Sequence, residues 1–396
     1  MRVTLREYIE QEIRERGPIP FSRYMKLCLY GPDSAAEGQP QGYYAQAREQ
    51  FGKSGDFYTS SDVHAVFGRL LARQFDEMWR ILGSPRPLTL IELGPGRGLF
   101  AQDILDWAQQ TFPEFISVLR YVLVETSLAL RVRLEERLRE HIVERRVAVY
   151  RSLSELERED LSNFIVFANE FFDALPVEVL DNRGELRVGV EDGRFVEQFT
   201  RPSAEVLDFV ERYAVHPEEN ERVEAPLAAQ DSIQEIVRTL KRSGRSQPRG
   251  FLVFIDYGYT REEMLAGRHR GTVTSFRRHS IVNTPYDAPG EQDITAHVNF
   301  TALADVARGS GLDALALVTQ SQFLMGIGEQ TQFADVFECC RSPQEQTKVA
   351  LQLKHLITPE GMGESFQVLV LSTGIEKEKA ARLSGLAFVR PGDLQI

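Results

Sequence analysis

Two stretches of the chain bring together residue types that could do chemistry. The first is Ile91-Glu92-Leu93-Gly94-Pro95-Gly96-Arg97-Gly98-Leu99-Phe100, an acidic residue followed by three alternate glycines. Glycine lets a ligand approach the backbone where a side chain would block it. A helix opening just after would add free N–H groups and a positive dipole end, which suits a nucleotide-like ligand. The second is Asn169-Glu170-Phe171-Phe172-Asp173-Ala174-Leu175-Pro176, directly after the apolar run Phe164–Ala168. Carboxylates interleaved with aromatics make a poor surface loop, since a carboxylate in apolar surroundings is costly unless paired. They would suit a pocket for a cationic or amine substrate. A structural reading also stands, with Glu170 capping a helix and Asp173 paired with an arginine. Glu170 points more to function, whereas Asp173 fits both.

The elements around these stretches form a rhythm of strands and helices. Pro87–Leu90 reads as a buried strand before the glycines, and Phe100, Ile104, Leu105 and Trp107 recur at helical spacing after them. Further strands are expected at 118–124, 147–150, 164–168 and 251–255, with a helix at 127–141 between the first two. This alternation predicts an α/β, Rossmann-like sheet, mostly parallel, with right-handed crossovers. Strands at 314–319 and 366–372 predict an antiparallel C-terminal edge. Upstream, a short helix from Leu5 ends at Gly17-Pro18, and a second begins near Ser22, a plausible N-cap, and ends at Tyr30. A strongly amphipathic helix runs from about Asp62 to Leu82. Hairpin signals at Asn182-Arg183-Gly184 and Asp192-Gly193 mark an α+β insertion. The expected divisions are an N-terminal helical region and lid (1–60), the first half of the cofactor domain (61–180), a substrate-side insertion (181–250), and the remainder (251–396). That remainder carries a loop insertion at 256–295.

In such sheets ligands bind at the carboxyl ends of the strands. The residues placed there are Glu92 to Gly98, Glu125, Arg151-Ser152, Asn169-Glu170 and Asp256-Tyr257. Glu125 suits a ribose diol, because one carboxylate can accept from both hydroxyls. The glycines fall at 94, 96 and 98, with Leu99 where the dinucleotide fingerprint G-x-G-x-x-G wants its third glycine, which disfavours a nicotinamide cofactor.

Composition removes other classes. The 396 residues carry 46 Lys and Arg against 58 Asp and Glu, a formal net charge of −12, which argues against a nucleic-acid surface. Cys28, Cys339 and Cys340 form neither a disulfide framework nor a metal-ligand pattern, so no metal is expected. No apolar run reaches membrane-spanning length. The early acidic residues Glu7, Glu10, Glu12 and Glu15 do not suit a targeting peptide, and a cytoplasmic location is expected. Oligomeric state is not legible in the sequence.

On these residues the chain resembles the MidA-like methyltransferases, which include the mitochondrial complex I assembly-factor methyltransferase. Glu92 with Gly94, Gly96 and Gly98 resembles motif I of S-adenosylmethionine methyltransferases, a widely shared signal. More specific are Gly55-Asp56-Phe57-Tyr58-Thr59-Ser60, Glu170-Phe171-Phe172-Asp173-Ala174-Leu175-Pro176, Asp256-Tyr257-Gly258 and Asp293-Ile294-Thr295-Ala296-His297-Val298-Asn299-Phe300. The resemblance spans nearly the whole length. It implies S-adenosyl-L-methionine as cofactor, held by Glu92, Gly94, Gly96, Gly98, Glu125, Ser152 and Asn169, with Phe57, Thr59 and Ser60 closing over it. It also implies a protein substrate. Because the mitochondrial member dimethylates an arginine of a core complex I subunit, a respiratory complex I subunit is the candidate. Glu170, with Asp173 or Asp256 assisting, would orient the guanidinium and receive its proton. Alternatives are a non-catalytic, cofactor-binding assembly chaperone and a small-molecule methyltransferase. The chain departs from its relatives at Ser61, often Pro in them, and at Asn169, His in the mitochondrial protein.

Overall fold

The apolar run before the glycines is a strand, β1 (Leu88–Leu93), with every residue buried. Six more strands join it in the computed structural model of the chain: β2 (Leu119–Val124), β3 (Val147–Tyr150), β4 (Asn163–Asn169), β5 (Arg249–Tyr259), β6 (Asp313–Thr319) and β7 (Phe366–Thr373). The structure describes residues 3–32, 41–46, 65–243, 247–277, 280–282, 284–338 and 340–389. The strand order is β3-β2-β1-β4-β5-β7-β6. β1 to β5 pair in parallel, and β7 runs antiparallel to both β5 and β6. The expected parallel sheet with an antiparallel C-terminal edge is therefore present. The order reverses between β1 and β4, and in open α/β sheets the binding crevice opens at such a point.

The described residues divide into two compact units. One takes its described residues from 59–171, 233–257 and 304–396 and holds these seven strands up to Tyr257. Its core is set by helices α1 (Ala65–Ile81) and α2 (Leu99–Thr111), whose apolar stripes bury against the strands. Phe100 of α2 stacks on Phe167 of β4 with centroids 4.5 Å apart, and Phe75 of α1 meets Phe167 edge-on at 5.6 Å. Each ring so buried contributes roughly 1.5–3 kcal/mol. The helix expected over 127–141 is two: α3 (Leu128–Arg137) and a short helix Arg139–Val143, broken where Leu138 leaves helical geometry at φ −101° and ψ 19°. A helix the sequence reading omits, Gln320–Glu329, is started by a capping box between Thr319 and Gln322.

The other unit takes its described residues from 1–58, 172–232 and 258–303. Helices Leu5–Arg16 and Phe21–Tyr30 cover a five-stranded antiparallel sheet built largely from the hairpin region, with Leu5, Ile9 and Ile13 in one cluster with Val179 and Val188. Pro20, not Ser22, stands at the N-cap of the second helix; Ser22 lies within its first turn, where its hydroxyl donates to the Glu178 carboxylate. The stretch expected as a loop insertion holds a helix, Arg261–Leu265, and a three-stranded sheet of Thr274–Arg277, Ser280–Val282 and Asp293–Thr295. Its first turn is fixed by Glu224, whose buried carboxylate accepts from the Thr272 N–H at 2.9 Å and the Thr272 hydroxyl at 3.1 Å. Three segments that read separately along the sequence thus make one unit.

Candidate functional site

The glycine loop leaves β1 through three left-handed residues: Gly94 at φ 63°, Gly96 at φ 53° and Gly98 at φ 74°. Residues with a Cβ adopt this region only at a cost, so conformation favours glycine at each. The Gly94 N–H still donates to Val124 at 3.0 Å, which holds the loop's start to β2, and the Gly98 N–H donates to Pro95 at 2.9 Å. Gly98 stands at the N-cap of α2. A Cβ there would come 2.6 Å from Cδ2 of Leu134, so loop, α2 and α3 meet without slack. Gly98→Ala is expected to destabilise the protein by about 1–3 kcal/mol. Urea denaturation reads this, and an unchanged midpoint would show that the loop relaxes freely.

Glu125 directly follows β2, and its backbone N–H donates to Tyr150 at the end of β3. Its carboxylate accepts from the Ser127 N–H at 2.8 Å, and the Gly96 and Thr126 amides help to lower its pKa. Burial pushes this carboxyl up to about 7, against the lowering effect of those amides and of the Arg131 guanidinium. Glu92 lies one turn of the pleat inside, within β1. Its carboxylate accepts from the Tyr121 hydroxyl of β2 at 2.7 Å. Burial pushes it up to about 8, moderated by the Tyr121 hydrogen bond and reinforced by the Glu125 charge.

These two carboxyls fix a pH dependence. Both titrate above the usual 4.5, so the folded state holds protons that the unfolded chain has released between about 4.5 and 8. Stability falls as pH rises through that window. Glu92→Gln is expected to flatten the fall and to gain roughly 1–4 kcal/mol on the wild type at pH 9 relative to pH 5. Parallel stability–pH curves for the two proteins would overturn this account.

At the end of β4 the chain turns sharply. Glu170 adopts a left-handed conformation, φ 50°, that side chains rarely adopt, and its N–H donates to Ile255 of β5 at 2.9 Å. Such strain persists only where surrounding contacts impose it, and it concentrates at functional sites. Asp256, fully buried in β5, imposes it here. One of its oxygens accepts from the Phe171 N–H at 3.2 Å and the other from the Tyr257 N–H at 3.0 Å. The turn sets the Phe171 ring against the glycine loop, where a Cβ on Gly94 would lie 3.0 Å from Phe171 Cδ2. Within the turn, Nδ2 of Asn169 donates to Oε1 of Glu170 at 3.1 Å.

Nine of the expected residues therefore share one unit. Glu92, Gly94, Gly96, Gly98, Glu125, Ser152, Asn169, Glu170 and Asp256 all lie at or near the carboxyl ends of β1 to β5. Ser152 follows β3, its hydroxyl 2.8 Å from that of Ser154. Asp173 belongs to the other unit, where it is buried and its backbone carbonyl accepts from the Ala296 N–H at 3.0 Å. Phe57, Thr59 and Ser60 lie outside the described residues. Two participants escaped the sequence reading. Tyr121 was legible as the lone hydroxyl in an apolar strand. Phe171 was quoted in its motif but not seen as the ring lying on the loop.

A parallel sheet that reverses order beside a glycine loop, with a carboxylate closing the next strand, defines a Rossmann-like enzyme for a nucleoside cofactor. The family model for S-adenosyl-L-methionine-dependent methyltransferases of the Methyltransf_28 type matches residues 70–318, and the chain belongs to that family. Its cofactor is S-adenosyl-L-methionine. Among solved structures, a protein from Burkholderia thailandensis bound to S-adenosyl-homocysteine matches with a TM-score of 0.79 and 29% identity, over 98% of this chain and 96% of that one. Among curated relatives, protein arginine methyltransferase NDUFAF7, mitochondrial, of Mus musculus is 29% identical, over 92% of this chain and 83% of its own length. The Drosophila melanogaster homolog is 25% identical over 94% and 85%.

The residues fit the cofactor. Gly94, without a side chain, is exposed at the head of the loop, and Glu125 is a buried carboxylate one strand away. Among the described residues, no group of His, Cys, Asp and Glu is arranged to hold a metal, and no helix is long and apolar enough to cross a membrane.

Proposed function

We propose that the chain transfers methyl groups to the guanidinium of a protein arginine, with a respiratory complex I subunit as the candidate acceptor. The observation that carries this reading is the turn after β4, where a strained Glu170, bonded to Asn169, directly precedes the Phe171 ring that lies against Gly94 of the glycine loop. The names of the curated relatives support it.

S-adenosyl-L-methionine supplies an electrophilic methyl group on a sulfonium. The glycine loop at 94–98 would hold the methionine end, and Glu125 would accept from the ribose hydroxyls. Glu170 orients the guanidinium, which is protonated at neutral pH and must present a lone pair. Its carboxylate would receive the N–H proton as the N–C bond forms and the sulfonium S–C bond breaks, with S-adenosyl-homocysteine as the leaving group. Asp256 supports the turn, because one of its oxygens accepts from the Phe171 N–H next to Glu170. Positioning of this kind lowers barriers by several kcal/mol (about 7–11 in the best oriented cases).

Labelled S-adenosyl-L-methionine, incubated with the protein and lysate of a deletion strain, tests the proposal. Mass spectrometry of the labelled band is expected to yield methylated arginine. A different labelled residue, or a labelled small molecule, removes the arginine assignment. Bound cofactor without any transfer would favour an assembly chaperone.

A further inference from the structure

We infer that Asn169 and Glu170 together form a two-acceptor site for a cationic N–H donor, with the Asn169 side-chain carbonyl as its specificity element. This rests on the methyltransferase reading above, though not on arginine being the acceptor. Asn169 is the last residue of β4 and is paired in register with Ile255 of β5. Its Nδ2 donates to Oε1 of Glu170, and this fixes the orientation of the amide: the flipped form would set oxygen against oxygen. Oδ1 is then buried and has no hydrogen-bond partner.

Buried polar atoms in folded proteins are nearly always paired, so an orphan oxygen calls for a partner from outside the chain. Other buried side-chain oxygens here also lack partners, those of Gln292 and Gln320 among them. Asn169 differs in place and neighbour. It ends a strand at the point where the sheet order reverses, next to the strand that carries the glycine loop, and it touches a carboxylate. A carbonyl oxygen beside a carboxylate accepts hydrogen bonds and repels anions. The ligand group it fits is therefore an N–H-bearing cation able to span both acceptors. Two such groups reach a methyltransferase site: the α-ammonium of the cofactor and the nitrogen that receives the methyl. A site built to bond an N–H discriminates sharply against a group lacking it.

Asn169→Leu removes the carbonyl at nearly constant volume, and two readouts separate the sources. Calorimetry compares S-adenosyl-homocysteine with 5′-methylthioadenosine, which keeps the nucleoside but lacks the ammonium. If the ammonium is the donor, the variant loses at least tenfold in affinity for the first and none for the second. If the acceptor is the donor, both affinities hold, and the initial rate of label transfer into lysate falls at least tenfold. Asn169→Asp, which keeps an acceptor, is expected to retain more of the affected property than Leu. It also carries the test if the Leu variant fails to fold. Wild-type affinities together with a wild-type transfer rate would overturn the inference. Should the labelled residue prove not to be arginine while Asn169→Leu still slows its labelling, the arginine proposal falls and this one stands.

Discussion

Glu170→Gln is expected to lower methyl transfer by well over tenfold, with affinity for S-adenosyl-homocysteine unchanged where the Asn169–Glu170 site takes the acceptor nitrogen rather than the ammonium of the cofactor. The substitution is informative because it preserves almost everything except charge. Glutamine has the same length, and it meets the same backbone strain at φ 50°, so the turn held by Asp256 is not altered by relief of that strain. Its side-chain oxygen can still accept from Nδ2 of Asn169. What is lost is a negative charge to hold a cation and a base to receive a proton. General base catalysis of this kind contributes typically about 10²–10⁴-fold. Glu170→Ala would be less decisive, since it also empties space beside the turn. Single-turnover rates for the Gln variant, set beside its binding isotherm, separate chemistry from cofactor binding. Full activity in the variant would remove Glu170 from the reaction.

The parts of this molecule that obey local rules were legible in the sequence. β4 could be seen as an unbroken apolar run over 164–168, as strands buried on both faces tend to be, β1 as a mostly apolar one, and the hairpins as turn dipeptides between alternating residues. Gly94, Gly96 and Gly98 announced the loop because each needs a positive φ. What stayed hidden depends on partners distant in sequence. The small sheet at Thr274–Thr295 is polar, and its first turn is organised by Glu224, some fifty residues earlier. Leu138 breaks a helix whose periodicity runs on through it. Asp256 was legible as a strand-end carboxylate and so as a candidate for chemistry. That it binds the amide of Phe171 appears only once β4 and β5 are seen side by side. Motif residues could therefore be found from sequence, but whether each faces ligand or backbone could not.

Glu125→Ala is expected to weaken S-adenosyl-homocysteine binding by roughly ten- to a hundredfold, the equivalent of one or two hydrogen bonds to a charged acceptor. The pH dependence of binding makes the expectation sharper. Burial holds the Glu125 carboxyl at about 7, so near neutrality an appreciable fraction is protonated. A carboxylate accepts from both ribose hydroxyls, whereas the protonated acid gives up part of that capacity. Affinity should rise as pH climbs through 7 and level off above about 8. Glu125→Gln should bind weakly at every pH and show no such rise. Glu92 titrates close by, at about 8, but its carboxyl is engaged by Tyr121 inside the strand. Glu92→Gln should accordingly keep the rise in affinity while losing the pH dependence of stability. Two carboxyls on neighbouring strands, both lifted by burial, thus report on different properties. A rise in affinity that vanished in Glu92→Gln and survived in Glu125→Gln would exchange their roles.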